Sequence, residues 1–292
     1  MSAPPAVPGP APETFLSGET GHVAGVRRRL WRGAADRLLD LADRARGPRL
    51  DALASAGEVR DVLVLGAYRP SSERLSAAVA ELQQTRHRVR LALGSTDPEP
   101  AVPLGEHTLL CGLEGGKFQN LNRLLREVGA PRADWVLLVD DDVDLPPRFL
   151  DRFLALCEHF HLGLAQPAQS LSSHAAWRVT RRRPLSLVRE TRFVEIGPVT
   201  AFSGAAAAAL MPFPDLRYGW ALDLHWGAVA AARGLTLGVA DAVAVRHEQQ
   251  PVAACYPFAG AIEEARRFLA DRPHLTATEA QQTLATHRRI AP

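Results

Sequence analysis

Four carboxylates crowd one short stretch of this chain, Asp140-Asp141-Asp142-Val143-Asp144, directly after the apolar run Val136-Leu137-Leu138-Val139. Acids packed this closely repel one another, and a soluble domain gains nothing structural by it. A divalent cation removes the repulsion. Hard ions such as Mg²⁺ and Mn²⁺ take oxygen ligands and commonly bridge one or two carboxylates to phosphates. Alternate residues of an extended chain share a face about 6.5–7 Å apart, so Asp140 and Asp142 can converge on one ion while Asp141 points elsewhere. The plainer use of an acid here is a helix cap. Asp144 is placed for it, because Pro146-Pro147 marks a helix start. A cap needs one acid, and the run has four.

A second residue stands out by rarity. The chain carries 33 arginines and a single lysine, Lys117. A compact, flexible ammonium suits a position where a planar guanidinium does not. Chance retention is the competing explanation, and the neighbours Gly115-Gly116 favour function.

These residues need a scaffold. From residue 60 the pattern alternates strand and helix, which predicts an α/β sheet. It reads as strand 61–66, loop Ala67-Tyr68-Arg69-Pro70, helix 72–85, strands 89–93 and 107–111, helix 117–128 and strand 135–139. The acidic run therefore falls at a strand's carboxyl end, where open α/β sheets bind ligands. Helix 147–160, strand 162–166, a basic loop 178–183, strand-like 193–196 and 199–202, helix 219–233 and strands 235–239 and 243–245 follow. The main domain spans 58–255, and two C-terminal helices, 258–270 and 276–289, occupy 256–292.

Upstream, five prolines among the first twelve residues predict a flexible tail over 1–20. An N-terminal helical segment, 21–57, follows. Its helix sets Val26, Leu30, Ala34, Leu38 and Leu41 on one face, and Arg27, Arg28, Arg29, Arg32, Arg37 and Arg44 on the other. The apolar stripe is expected to pack on its own domain, while the basic face leaves peripheral contact with an anionic membrane open.

Composition bounds the function. With 292 residues, 47% of them hydrophobic, the chain can bury a full core, and a net charge of +2 gives no sign of nucleic-acid binding. Cys111, Cys157 and Cys255 are few, odd in number and widely spaced, which suits a reducing compartment. No signal-peptide pattern opens the sequence and no stretch approaches a spanning helix, so a cytoplasmic address is expected.

The ordered series Gly116-Lys117-Phe118-Gln119-Asn120-Leu121-Asn122, then Leu137 to Pro146 around the acids, then Gly219-Trp220-Ala221-Leu222-Asp223 and a late His247 resembles the GT-A glycosyltransferases, most closely glycosyltransferase family 2. The resemblance covers roughly residues 60–250 and implies a GT-A, Rossmann-like mixed sheet flanked by helices. It also implies a metal-dependent transfer of sugar from a nucleotide-sugar donor to a hydroxyl acceptor. Asp140, Asp142 and His247 would hold Mn²⁺ or Mg²⁺. Ala67, Tyr68, Arg69, Lys117, Asn122, Asp140 and Asp141 would contact the donor. Asp223 would be the base of an inverting reaction, with Glu195 in reserve, and Glu195 and Trp220 would face a small-molecule or lipid-linked acceptor.

Arg69 and Glu73 depart from the family's usual base-recognition loop, which keeps a noncatalytic GT-A-like ligand-binding module in view. A nucleotidyltransferase is disfavoured, since Gly66-Ala67-Tyr68-Arg69-Pro70 lacks a glycine-rich phosphate loop. Asp97 reads as a turn residue before Pro98, and Arg181-Arg182-Arg183 as a solvated loop or an anion-facing one.

Overall fold

The computed structural model describes residues 9–17, 26–69, 73–129, 132–173, 175–247 and 257–290, with 26–30 as backbone alone. Helix α1 (Val26–Ala56) precedes β1 (Asp61–Tyr68), α2 (Glu73–Gln83), β2 (Arg88–Ser95) and β3 (Thr108–Leu110). Then come α3 (Lys117–Val128), β4 (Trp135–Val139), β5 (Val143–Asp144), α4 (Phe149–His159) and β6 (Leu162–Gln169). β7 (Val188–Thr191), β8 (Val199–Ser203), α5 (Gly204–Leu210), α6 (Leu222–Ala232) and β9 (Thr236–His247) follow, and α7 (Phe258–Leu269), α8 (Ala277–Ala280) and β10 (Thr283–His287) end the chain.

The strands form one mixed sheet ordered β10-β7-β9-β6-β8-β4-β1-β2-β3, with β5 added against β9. β1 runs parallel to β2 and β4, and the chain turns antiparallel where β4 meets β8. Strand alternation divides the core. In β4, Val136 and Leu138 enter an apolar cluster with α3, α5 and α6, while Trp135, Leu137 and Val139 enter another with α1, α2 and α4. The first cluster centres on Phe118, Phe202, Phe213 and Trp226, whose rings meet at centroid distances of 5.1–6.0 Å.

Several expectations are corrected. Residues 276–289 are not a helix: α8 is one turn, and β10 joins the sheet's edge against β7. The alternation Thr283-Leu284-Ala285-Thr286-His287, rich in β-branched residues, explains it. The C-terminal segment thus belongs to the main sheet and is not purely helical. Residues 193–196 carry no strand, the neighbouring strand being β7, and 235–245 is one continuous strand.

Asp144 caps no helix. α4 begins at Phe149 without a side-chain cap, and Asp144 pairs across β5–β9 with Arg246 and binds Arg74 at 2.8 Å. The tail is not flexible throughout, because residues 12–14 form a 3₁₀ turn that buries Phe15 in the first cluster; residues 1–8 and 18–20 lie outside the described residues, as does Cys255.

The largest correction concerns α1. Leu38 and Leu41 are not packed on the domain but are 70% and 57% exposed. The inward face instead carries Asp36, Asp40 and Asp43. Asp36 is buried and accepts the Leu171 and Ser172 backbone amides and the Ser172 hydroxyl at 2.6–2.9 Å. Arg182 binds Asp40 at 2.7 Å and also Asp43, and Arg246 binds Asp40. The basic loop is therefore only partly solvated: Arg182 is buried on α1 and Arg181 donates to the Leu171, Ser173 and Ala175 carbonyls, while Arg178 and Arg183 are exposed.

Candidate active site

A cavity of about 610 Å³ opens at the carboxyl ends of β1 and β4. Four of the segments that line it form one group. The β1 exit brings Ala67 to Arg69, the first turn of α3 brings Lys117, the turn after β4 brings the acids, and the end of β9 brings His247.

The acidic run is not extended, since residues 141–142 form a turn. The turn still parts the carboxylates. Asp141 faces Arg69, accepting from its backbone amide at 3.0 Å and from guanidinium Nε and Nη2 at 3.1 and 3.3 Å. Asp140 faces Lys117, whose ammonium lies 2.5 Å from Oδ1 and donates to the Ile196 carbonyl at 2.6 Å. Gly197 closes over this pair. A Cβ there would stand 2.6 Å from the Asp140 carboxylate and 3.2 Å from Lys117 Nζ, so any side chain would force the carboxylate or the loop to shift.

His247 arrives through strand pairing. Val143 lies opposite His247 in the β5–β9 ladder, which sets His247 Nε2 3.0 Å from Asp142 Oδ1. Its backbone amide donates to Ser173 Oγ at 2.9 Å. One ligand atom each from Asp140, Asp142 and His247 lie within 4.8 Å of one another.

The charges are mutually adjusted. Burial pushes Asp140's pKa above its ordinary value, with Lys117 pulling the other way. Burial also disfavours the Asp142 anion, but the hydrogen bond and charge of His247 outweigh it and lower the pKa. His247 is raised, its burial overcome by Asp142, Asp140 and Glu195. Two carboxylate oxygens and an imidazole nitrogen are a donor set that Mg²⁺ or Mn²⁺ accepts. A cation there would relieve the burial of Asp140's charge, so the residues fit a divalent metal.

The same cavity holds two more acids. Glu195 is fixed through both oxygens, by Gln169 Nε2 at 2.7 Å, Thr180 Oγ1 at 3.0 Å and the Ala176 amide at 3.3 Å. Burial raises its pKa to about 7 against these donors. Asp223, in the first turn of α6, accepts the Leu224 amide at 3.0 Å. Burial, and then the charge of Glu195, push it to about 8. Carboxyls elevated this far sit in the range where general bases work at neutral pH.

Ala67, Tyr68, Arg69, Lys117, Asp140, Asp141, Asp142, Glu195, Trp220, Asp223 and His247 all line the one cavity. Tyr68 does so with little to offer, being buried with its hydroxyl held by Thr108 and the Ala101 amide. Trp220 sets its ring edge-on to Phe258, centroids 4.9 Å apart. Asn122 stands elsewhere, its amide clamped to both the carbonyl and the N–H of Phe213 at 2.7 and 2.9 Å.

The cavity's asparagine is Asn120, buried with Oδ1 unpartnered. Helical period would have found it: position 120 is three residues from Lys117 and shares its face, while 122 is five away and does not. Gln169, Trp177 and Tyr218 are further lining residues that carried no motif. Asp97 is not among the lining residues; its amide caps back onto Ser95 Oγ at 3.1 Å.

No known family's model matches the chain, and no curated protein does. Solved structures do. The mannosyltransferase PcManGT from Pyrobaculum calidifontis, in complex with GDP-Man and Mn²⁺, superposes with a TM-score of 0.50 at 14% identity, covering 78% of this chain and 70% of that one. S. aureus TarS 1–349, in complex with UDP-GlcNAc, gives 0.49 at 15% identity over 68% of this chain and 62% of that one. At such identities the likeness concerns fold. The mixed sheet with its acidic turn after the fourth strand is a GT-A glycosyltransferase fold.

Proposed function

We propose that the protein is a metal-dependent glycosyltransferase that moves a sugar from a nucleotide-sugar donor to a hydroxyl acceptor with inversion, Asp223 acting as base. One observation carries the reading. A single cavity holds both the Asp140–Asp142–His247 cluster with Lys117 and two acids elevated into the working range of a base. The bound GDP-Man and Mn²⁺ in the mannosyltransferase of the same fold lend support.

Asp140, Asp142 and His247 would hold the metal, Mn²⁺ or Mg²⁺, which when bound supplies positive charge for a departing diphosphate. Lys117 adds a point charge on the same side and Asn120 an acceptor for a donor hydroxyl or base. Ala67, Arg69 and Asp141 form the wall toward the nucleoside, where Asp141 already organises Arg69. The acceptor hydroxyl enters beside Trp220 and Glu195. As its oxygen bonds to the anomeric carbon, the bond from that carbon to the phosphate oxygen breaks, the hydroxyl proton passes to Asp223, and nucleoside diphosphate leaves. Glu195 in this scheme holds the acceptor and keeps Asp223 basic by its charge. A small metabolite or a lipid-linked hydroxyl serves as acceptor, and the address is the cytoplasm.

The test is incubation with Mn²⁺ and a panel of GDP-, UDP- and TDP-sugars, following nucleotide release with and without simple acceptors. Release that needs Mn²⁺ and disappears in Asp223→Asn, with donor binding kept, supports the reading. Binding of no donor overturns it, and donor binding without any turnover reduces the protein to a ligand-binding module.

A further inference from the structure

Helix α1 is built inside out. Its acids, Asp36, Asp40 and Asp43, face the domain and are bound there by Arg182, Arg246 and backbone amides. The opposite face presents Trp31, Leu38 and Leu41, exposed by 69%, 70% and 57%. Positions 31, 38, 45 and 49 fall on one line of a helix with 3.6 residues per turn, and 34 and 41 lie beside it. That line therefore reads Trp, Leu, Ala, Arg, with Ala34 and Leu41 on its flank. Arg37 and Arg44 are exposed alongside.

No carboxylate of the described part of α1 before Asp51 points the same way, because all three are spoken for on the inner side. At the end of the line a hollow is walled by Arg46, Arg49, Arg288 and Arg289 around Leu50 and Ile290. Apolar side chains led by a tryptophan, ringed by arginine and free of acid, match an anionic lipid surface in both polarity and charge. A second copy of the chain would bring the same arginines face to face with their own kind.

We infer that the outward face of α1 docks the protein on an anionic membrane surface, Trp31, Leu38 and Leu41 entering the headgroup boundary and Arg37, Arg44 and Arg49 meeting lipid phosphates. The inference stands whatever the cavity does. It has a consequence for the cavity all the same: Asp40 binds Arg246 and Asp36 holds the turn at 171–172, next to the Ser173 that anchors His247. The docking helix is thus fastened to the wall that carries His247, which fixes the cavity's position relative to the bilayer.

The full chain, mixed with vesicles of phosphatidylcholine alone or with 30% phosphatidylglycerol, tests this by flotation. The protein is expected to float with the anionic vesicles, poorly with the neutral ones, and less as salt rises. The variant Arg37→Ser/Arg44→Ser/Arg49→Ser is expected to bind on the order of 100-fold more weakly, at about fivefold per arginine. Trp31 gives a readout that no folding defect imitates, because Trp135, Trp177, Trp220 and Trp226 are all buried. Vesicles should blue-shift the emission of the wild type and leave Trp31→Phe unchanged, although Trp31→Phe still floats. Failure of the wild type to bind anionic vesicles overturns the inference. So does binding that ignores the triple arginine variant, or a concentration-dependent dimer in sedimentation that Leu38→Asp abolishes.

Discussion

The fold holds Asp223 against its own preference, and replacing it measures by how much. Its pKa is about 8 in the folded chain against an ordinary 3.8, chiefly through burial and then through the charge of Glu195. Between those two values the folded chain keeps a proton that the unfolded chain has released. Stability therefore falls as pH rises through that window, and the loss is complete above about pH 8. Each pH unit of the gap is worth about 1.4 kcal/mol. The gap then amounts to about 4 kcal/mol at pH 7 and about 6 kcal/mol above pH 8.

Asp223→Asn removes the titration but not all of that cost returns as stability. Glu195 supplies part of the elevation, and an amide offers one acceptor where the carboxylate serves the Leu224 and Ile196 amides. The variant should exceed the wild type by about 2–4 kcal/mol at pH 8 and match it within about 1 kcal/mol at pH 4. Urea unfolding followed by tryptophan emission at pH 4, 6 and 8 makes the comparison. A variant no more stable than the wild type at pH 8 would refute the elevated carboxyl. An equal gain at pH 4 and pH 8 would trace the effect to packing and refute it too.

Three further outcomes follow from the same geometry. On the proposed mechanism kcat/KM rises with pH toward about 8, because Asp223 must lose its proton, and Glu195→Gln moves that rise to lower pH by removing the charge that elevates Asp223; a pH–rate profile unmoved by Glu195→Gln contradicts the pairing. His247→Ala and Asp142→Ala should each weaken Mn²⁺ binding by about 100-fold in calorimetry, since each removes one of the three candidate ligands and loss of a supporting residue alone costs about 10–100-fold; full affinity in either variant takes that residue out of the metal site. Gly197→Ala should cost most of the Mn²⁺ affinity with little change in unfolding midpoint, because the new methyl meets the Asp140 carboxylate at 2.6 Å at the cavity wall, not in the core; unchanged affinity means that the loop yields.

Most of the sheet and its ligand end were legible because they rest on local patterns. β1, β4 and α3 follow from apolar runs and a 3.6-residue period, and the acids announce themselves by mutual repulsion. What stayed illegible depends on partners far along the chain. Asp144 has a cap-like sequence setting, yet ladder pairing with β9 fixes its backbone and Arg74 takes its carboxylate. Leu38 and Leu41 look like core until three aspartates on the other face find Arg182, Arg246 and the 171–172 amides. Residues 283–287 alternate too briefly to outweigh the adjoining helical stretch, and become a strand because β7 offers an edge. Asn122 and Asn120 could have been told apart by helical period alone.

The arginine-rich composition sharpens the proposed role of the one lysine. Four carboxylates of this fold are fixed by a guanidinium fork. Arg69 grips Asp141, Arg88 grips Asp61, Arg152 grips Asp51 and Arg189 grips Asp241, each through Nε and a terminal nitrogen at 2.6–3.3 Å. Such two-point pairs are strong and directional, and the last is wholly buried. Asp140 is held differently, by a single ammonium that also has the Ile196 carbonyl to bond. A point charge on a flexible stem can turn from Asp140 to an incoming phosphate while keeping one protein partner, whereas a fork would occupy both carboxylate oxygens and shut out a cation. Lys117→Arg, which conserves charge, should therefore lower Mn²⁺ affinity nearly as far as Lys117→Met lowers donor affinity.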